Sequence, residues 1–517
     1  MAYHMLVYVV AFLPATILLY QLVPQKFRYI VLLCANCIFF CSFSKGLIIY
    51  LIAAILVAYF FARWIEKIGE KKSDGQKAVT KAKRKVLALG IVLNLLVLVV
   101  LKYTNFFAKS FIDLTNVFGS KWKFAPIRFL VPIGISFYTL EIISYLTDVY
   151  RGTIKAEHNF AKVALYLSFF PQTMEGPIAR FGETADDLYA GRGITFNNLK
   201  FGYQRIAWGL FKKMVVADRF YYMVSYIFSN YQKLDGSIML VGAMAYTAQL
   251  YMEFSGGMDI IIGSGQIFGI NLPENFRQPF ASKNASEFWR RWHITLGEWL
   301  KDYIFYPISF SKLTINLTTN VKKIFKGYIG KIIPAMFALF FVWFTNGIWH
   351  GASWKYIFYG LYYYIMTIIG MILTPLFKQV IIKLNINTKT FGYKMWQMIR
   401  TTIIVLIGML IFRAKRLKVA LQMLLSIFTF ENMGKLFNGE LFKIGFETSD
   451  FIVIIVGVII MFIVGLLQEK GYSIREKISK QNIVFRWTLY YGIIFSIIIF
   501  GIYGKGYSAS SFIYGQF

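Results

Sequence analysis

Charge is scarce in this chain. Only 16% of its 517 residues are charged, against 57% hydrophobic, whereas a soluble domain carries about a quarter charged. That balance excludes an ordinary soluble globular protein. Acidic residues are scarcest: 25 Asp and Glu stand against 56 Lys and Arg, a net charge of +31. Such an excess would suggest nucleic acid in a soluble chain. Here the basic residues lie between apolar runs, as cytoplasmic loops do. The richest stretch, Arg63 to Lys85, lacks the aromatic interleaving of a base-stacking surface. We read it as a cytoplasmic loop touching anionic membrane lipid, and expect no nucleic-acid partner.

Cysteine is almost missing. Cys34, Cys37 and Cys41 fall in one apolar run at spacings of three and four, so they share a helix face. They form no disulfide framework. No histidine or carboxylate accompanies them, so no metal site is expected, and they read as small residues in helix packing. The chain also lacks an internal repeat, which argues for one membrane domain over residues 1–517 and weakens an inverted-repeat transporter. It has no HExxH, Walker or strand-linked GxGxxG pattern, and no G-x-S-x-G elbow surrounds Ser353. The first apolar run, Met5–Val23, has no Lys or Arg before it, unlike a cleavable signal peptide, and reads as a retained span.

What the chain does have is long apolar runs. Candidate spans are Met5–Val23, Tyr29–Phe43, Leu47–Trp64, Val86–Leu101, Phe129–Leu146 and Phe201–Phe228. Ile238–Phe268, Ile332–Trp349, Tyr356–Leu373, Met398–Phe412, Phe451–Leu467 and Val484–Ile502 follow. The expected fold is an all-α polytopic membrane protein of roughly eleven to thirteen transmembrane helices, with re-entrant or interfacial segments. Lys26 and Arg28 after the first span, and the basic stretch Glu469–Lys480 before the last, put both termini on the extracytoplasmic side.

Two stretches are not plain spans. Pro171, Gly176 and Pro177 break the helix within Phe169–Phe181, and irregular backbone at that depth survives only inside protein or beside water. Ser286–Tyr306 carries Glu287, Arg290, Arg291, Glu298, Lys301 and Asp302, too many charges for a lipid-exposed span. Its aromatic and apolar residues recur at helical spacing, which predicts an amphipathic helix at the interface. The alternative, an aromatic belt with snorkelling arginines, gives no reason for His293.

Histidine is the side chain most readily poised as a base near neutral pH, and only four occur. His4 and His158 read as solvated. His293 and His350 lie among tryptophans, and an ionisable group at the end of the apolar run "FVWFTNGIWHGASW" suggests function; a hydrogen-bonded structural histidine is the plain alternative. Asn346 precedes His350 by four residues and can share its face. Gly347 and Gly351 permit close approach of backbone or ligand.

These residues resemble the membrane-bound O-acyltransferase family. "EFWRRWHITLGEWLKDYIFYPI", Glu287 to Ile308, is similar to its central motif, and "GIWHGASW", Gly347 to Trp354, to its histidine motif. "FPQTMEGPIARF", "EFSGGMDIIIGSGQIFGINLPENFRQPF" and "IFRAKRLKVAL" resemble further family stretches in the same order. The closing "SFIYGQF" resembles the alginate O-acetylation branch, and "WHG" with "PENF" is shared with the teichoic-acid D-alanylation branch. The likeness runs from about Pro132 to Phe517 and departs from the family pattern at Glu175 and Glu253.

The resemblance implies helices around a central funnel or tunnel, with N-terminal helices over 1–130, a catalytic core over 131–430 and C-terminal helices over 431–517. It implies His350 as the catalytic histidine and His293 as the second active-site position. Trp289, Arg290, Arg291, Trp292, Lys301 and Asp302 are expected along the substrate path, with Asn346, Trp349, Gly351 and Ser353. Pro171, Gly176, Pro177, Asp259 and Asn275 are motif positions expected to shape the fold. The implied activity is transfer of an acyl group, acetyl first, from a cytoplasmic thioester to hydroxyls of an exported polysaccharide. The donor, acetyl-CoA or an acyl-carrier protein, is a co-substrate, with no tightly bound cofactor. An extracytoplasmic partner of the SGNH acyltransferase type and a bacterial inner-membrane location are implied too. D-alanyl transfer to teichoic acid is the second acyl-transfer reading; a transporter or an envelope scaffold is the reading of another class.

Overall fold

The computed structural model describes residues 2–5, 7–70, 75–429, 433–436, 438–439, 441 and 447–503. Lys71 and Lys72 of the basic loop and the closing "SFIYGQF" lie outside the described residues. Among the described residues helix follows helix, and the sole extended pairing is one bridge between Phe276 and Trp292.

The chain forms two compact units. One takes Met1–Ile206 with Ile260–Pro273, the other Ala207–Asp259 with Glu274–Ser508. The first holds α1 (Leu13–Leu22), α2 (Arg28–Ser44), α3 (Ile48–Gly69), α4 (Gln76–Val117), α5 (Ile135–Arg151), α6 (Phe160–Ser168), α7 (Phe181–Tyr189) and most of α8 (Phe196–Leu210). The second holds α9 (Asp218–Ser229), most of α10 (Gly236–Ile267), α11 (Ala285–Arg291), α12 (Ile294–Leu300), α13 (Tyr306–Ser309) and α14 (Lys312–Ile324). It continues through α15 (Tyr328–His350), α16 (Trp354–Lys383), α17 (Phe391–Arg413), α18 (Leu417–Phe428), α19 (Thr448–Glu469), α20 (Ile474–Ser479) and α21 (Ile483–Phe500).

Among the described residues, seven helical stretches are long and apolar enough to cross a membrane: Gln25–Gly69, Gln76–Val117, Tyr328–His350, Trp354–Lys383, Phe391–Arg413, Thr448–Glu469 and Ile483–Phe500. They turn apolar side chains such as Phe60, Val92, Ile459 and Ile499 outward, which only lipid tolerates on this scale. The chain is a multi-pass membrane protein. Other expected spans take different forms. Tyr29–Phe43 and Leu47–Trp64 fall in the one stretch Gln25–Gly69. Phe129–Leu146 is helical only from Ile135. Phe201–Phe228 is α8, a π-helical turn Phe211–Ala217 and α9, with Lys212, Lys213 and Asp218 buried inside it.

Two smaller expectations fail. The three cysteines share a face of α2, but that face is exposed instead of packed against another helix. His4 is buried, not solvated, because the chain start folds into the first unit around the buried Tyr3 and Tyr8. His158 is exposed and sits 3.0 Å from Glu66 Oε2.

Phe169–Ala179 is non-helical and wholly buried, as broken backbone at depth requires. Several of its backbone groups find partners within the unit. Phe170 N–H donates to Asn36 Oδ1 at 2.8 Å, and Tyr166 Oη donates to Ala179 O at 2.8 Å. Pro171, Gly176 and Pro177 lie in this turn, with a cis bond between the last two. Gly134 has φ +84°, and a side chain there would strike the Thr173 carbonyl.

In the second unit α15 and α16 cross glycine on glycine. A Cβ on Gly347 would lie 2.5 Å from Tyr356 O, and one on Gly360 would strike Trp343 O and sit 3.2 Å from Gly347 Cα. Gly360→Leu should therefore force the helices apart and cost about 1–3 kcal/mol. Gly370→Leu, on the exposed side of α16 with nothing within 4 Å, should be near neutral. Thermal unfolding of the two purified variants checks this; equal unfolding temperatures would contradict the tight crossing.

Candidate active site

His350 is the last residue of α15 and Asn346 lies one turn before it; both are buried. The glycine crossing brings α16 close enough that Tyr359 packs on the His350 ring at 5.7 Å between centroids. Phe412, near the end of α17, packs on it at 5.3 Å. Trp349 lies between the two histidines, 5.0 Å from the His350 ring and 5.6 Å from that of His293.

The expected amphipathic helix over Ser286–Tyr306 is not continuous. It is α11, a break at Trp292–His293, α12, a π-helical turn Lys301–Phe305 and α13. The backbone before α11 causes the break. Arg277 N–H donates to Arg291 O at 3.0 Å, and Ile294 N–H donates to Asn275 O at 3.1 Å. These groups are thereby taken out of a helical ladder, and His293 adopts φ +51°, an uncommon conformation for a residue with a side chain.

Asn275 fixes more than the backbone. Its side-chain oxygen accepts from Thr295 N–H at 3.1 Å and Thr295 Oγ1 at 3.1 Å, and lies 3.3 Å from His293 Nδ1. Its amide nitrogen donates to Met258 Sδ at 3.3 Å. An amide oxygen only accepts, so Nδ1 of the neutral imidazole carries the proton and Nε2 holds the lone pair. Phe254 closes the other side of the ring at 4.9 Å.

Both histidines line a cavity of about 430 Å³. Trp289, Arg290, Trp292, Lys301 and Asn346 of the expected substrate path line it as well. Leu296, Leu300, Phe305, Leu339, Val342 and Trp343 make its walls largely apolar. Trp289 Nε1 and Asn346 Oδ1 are buried there without a hydrogen-bond partner. Arg290 and Lys301 are exposed and make no ion pair among the described residues.

Other expected path residues are not on the cavity wall. Arg291 turns away, pairing with Glu287 Oε1 at 2.8 Å and Glu469 Oε2 at 2.6 Å. Asp302 sits in the π-helical turn, and Gly351 and Ser353 form the corner between α15 and α16, where Ser353 N–H donates to Gly351 O at 2.9 Å. Asp259, expected as a motif position that shapes the fold, pairs with Lys212. Phe254, Tyr359 and Phe412 wall in the imidazoles, yet no pattern marks them in a chain that is 19% aromatic.

The profile of the membrane-bound O-acyltransferase family matches residues 152–319. The probable alginate O-acetylase AlgI of Pseudomonas aeruginosa is 34% identical, over 82% of this chain and 74% of that one. The peptidoglycan O-acetyltransferase of Helicobacter pylori is 30% identical, over 68% of this chain and 67% of its own. The teichoic acid D-alanyltransferase of Bacillus subtilis is 29% identical, over 45% of this chain and 57% of its own. The chain belongs to the membrane-bound O-acyltransferase family. It is an O-acyltransferase.

His293 lies outside the seven spans. Burial first, and nearby His350 second, hold its imidazole well below the ordinary value of 6.5. As pH falls, the unfolded chain takes up this proton before the native one, so stability should decline below about pH 6.5. His293→Gln should flatten that decline, as unfolding temperatures between pH 7.5 and 5 will show; parallel curves would mean the ring is not buried neutral. Asn275→Leu leaves the Thr295 N–H and His293 Nδ1 without their acceptor. It should lower stability by about 1–3 kcal/mol and turnover on the order of 10²-fold, read by unfolding and steady-state acyl transfer.

Proposed function

We propose that the chain takes an acetyl group from a cytoplasmic thioester, acetyl-CoA or an acyl-carrier protein, and passes it across the bacterial inner membrane toward hydroxyls of an exported polysaccharide. An extracytoplasmic partner of the SGNH type completes delivery, and both termini lie on that side. The observation that most supports this is two buried imidazoles on one cavity, in a chain similar along most of its length to proteins named for O-acetylating alginate and peptidoglycan. D-alanyl transfer is the weaker reading, since the D-alanyltransferase likeness spans 45% of the chain.

In this reading residues 131–430 form the catalytic core, and His350 is the base. Its imidazole takes the proton from an acceptor hydroxyl as that oxygen attacks the acyl carbonyl. The carbon–sulfur bond breaks, the ester forms, and the proton returns to the departing thiolate. His293, with its Nε2 lone pair, is the second proton-handling group. Asn346 and Trp289 offer an acceptor and a donor to the amides of a donor arm. Arg290 and Lys301 meet its anionic end, while Arg291 anchors α11 to α19.

The test is the acyl content of exported cell-surface polymers, with membrane levels of the protein matched. His350→Ala should abolish one ester, and His293→Ala should reduce it by on the order of 10²-fold or more; persistence of every ester in both would overturn the reading. Arg290→Glu with Lys301→Glu should raise the donor KM roughly tenfold, whereas Arg291→Lys should leave it unchanged. Equal effects at all three would remove the distinction between grip and anchor.

A further inference from the structure

Behind the His293 wall lies a second cluster that the transfer chemistry does not use. The π-helical turn Phe211–Ala217 is buried throughout. From it Lys212 Nζ reaches Ser255 Oγ at 3.0 Å and pairs with Asp259. Lys213 Nζ pairs with Asp218 Oδ1 at 2.7 Å and Glu253 Oε1 at 3.0 Å. Five ionisable side chains are thus gathered with at most 14% exposure each. Gly256 makes the approach feasible, because a Cβ there would lie 2.8 Å from Gly209 O and 3.2 Å from Lys212 Cβ.

Glu253 and Asp259 lie on the face of α10 opposite the His293 wall. Along α10, Glu253, Gly256 and Asp259 face the lysines. Tyr251, Phe254 and Met258, at helical spacings of three and four, face the histidine side. Phe254 packs on the His293 ring, Tyr251 on Trp292 at 5.9 Å, and Met258 takes the Asn275 amide. A small rotation or slip of α10 would carry all three contacts with it.

Ion pairs this deep add little net stability over well-packed apolar side chains. What they supply is direction, since a short charge-assisted contact admits one register and one azimuth where apolar contacts admit several. The widened turn is pinned from its other side too: Met214 O accepts from Ile502 N–H at 3.1 Å, and a Cβ on Gly457 of α19 would lie 2.7 Å from Val216 Cγ2.

We propose that Lys212 and Lys213, with Glu253, Asp259 and Asp218, are positioning residues for His293, holding α10 in the one register that seats the imidazole against Phe254 and Asn275. The kinetic part of this rests on the proposed role of His293; the positional part does not.

The test uses the full chain in lipid nanodiscs, labelled with 15N-histidine. The His293 resonances are assigned by their loss in His293→Gln, and the wild type should show the Nδ1–H tautomer. A triple variant, Lys213→Met with Asp218→Asn and Glu253→Met, neutralises Lys213 together with the two carboxylates it pairs with. It should keep its unfolding temperature, shift the His293 resonances to a tautomer-averaged pattern and leave those of His158 in place. Turnover should drop about 10²-fold, as misplacement of an active group by an ångström does, with the donor KM unchanged. Unaltered His293 resonances in the folded triple variant would overturn the proposal. If resonances shift while both the triple variant and His293→Gln turn over normally, positioning stands and the proposed role of His293 falls. Should the triple variant not fold, Glu253→Gln and Lys213→Arg decide: the first should disturb His293 and the second should not, and an undisturbed ring in both refutes the device.

Discussion

The contact on which the site depends is that of Asn275 with the break between α11 and α12. One residue supplies a backbone carbonyl to Ile294 and a side-chain oxygen to Thr295 and His293. Together these end one helix, start the next and hold a histidine at positive φ between them. A continuous helix over the same residues would satisfy its backbone internally, and the imidazole would follow the helical path. The interruption lets α11 and α12 meet the cavity from different directions. Strain of this kind persists only where the surroundings over-determine it, and here the polar atoms of Asn275 account for it.

The same economy recurs in the second unit. Gly347 and Gly360 let α15 and α16 approach until backbone meets backbone, and that closeness brings Tyr359 onto His350. Gly256 does likewise for α10 and the lysine-bearing turn. Without a hydrophobic drive between helices in lipid, small residues and polar contacts decide which surfaces meet. The cavity wall on α15 is accordingly located by glycine contact with α16.

The sorting of the three basic residues in the central motif follows from neighbours. Arg291 has two carboxylates within reach and serves as a tie, whereas Arg290 and Lys301 line the cavity. Adjacent arginines on a short helix point some 100° apart, so neighbouring positions in one motif take different partners.

The sequence by itself determined the membrane class, because hydropathy over about twenty residues is a local property. It also singled out His293 and His350, since rare ionisable groups in apolar runs stand out, and it located the buried break at Pro171–Pro177 through helix-breaking chemistry. It did not reveal that Phe201–Phe228 is interrupted around two buried lysines, that Ser286–Tyr306 breaks at its histidine, or that His4 is buried. Each of these is decided by a residue distant in sequence: Glu253 and Asp259 for the lysines, Asn275 for the break, the packing of the first unit for His4. Periodicity records what a segment prefers alone. Tertiary structure decides which polar groups it finds on folding, and a buried charge or a left-handed histidine is tolerable only where such a partner has arrived.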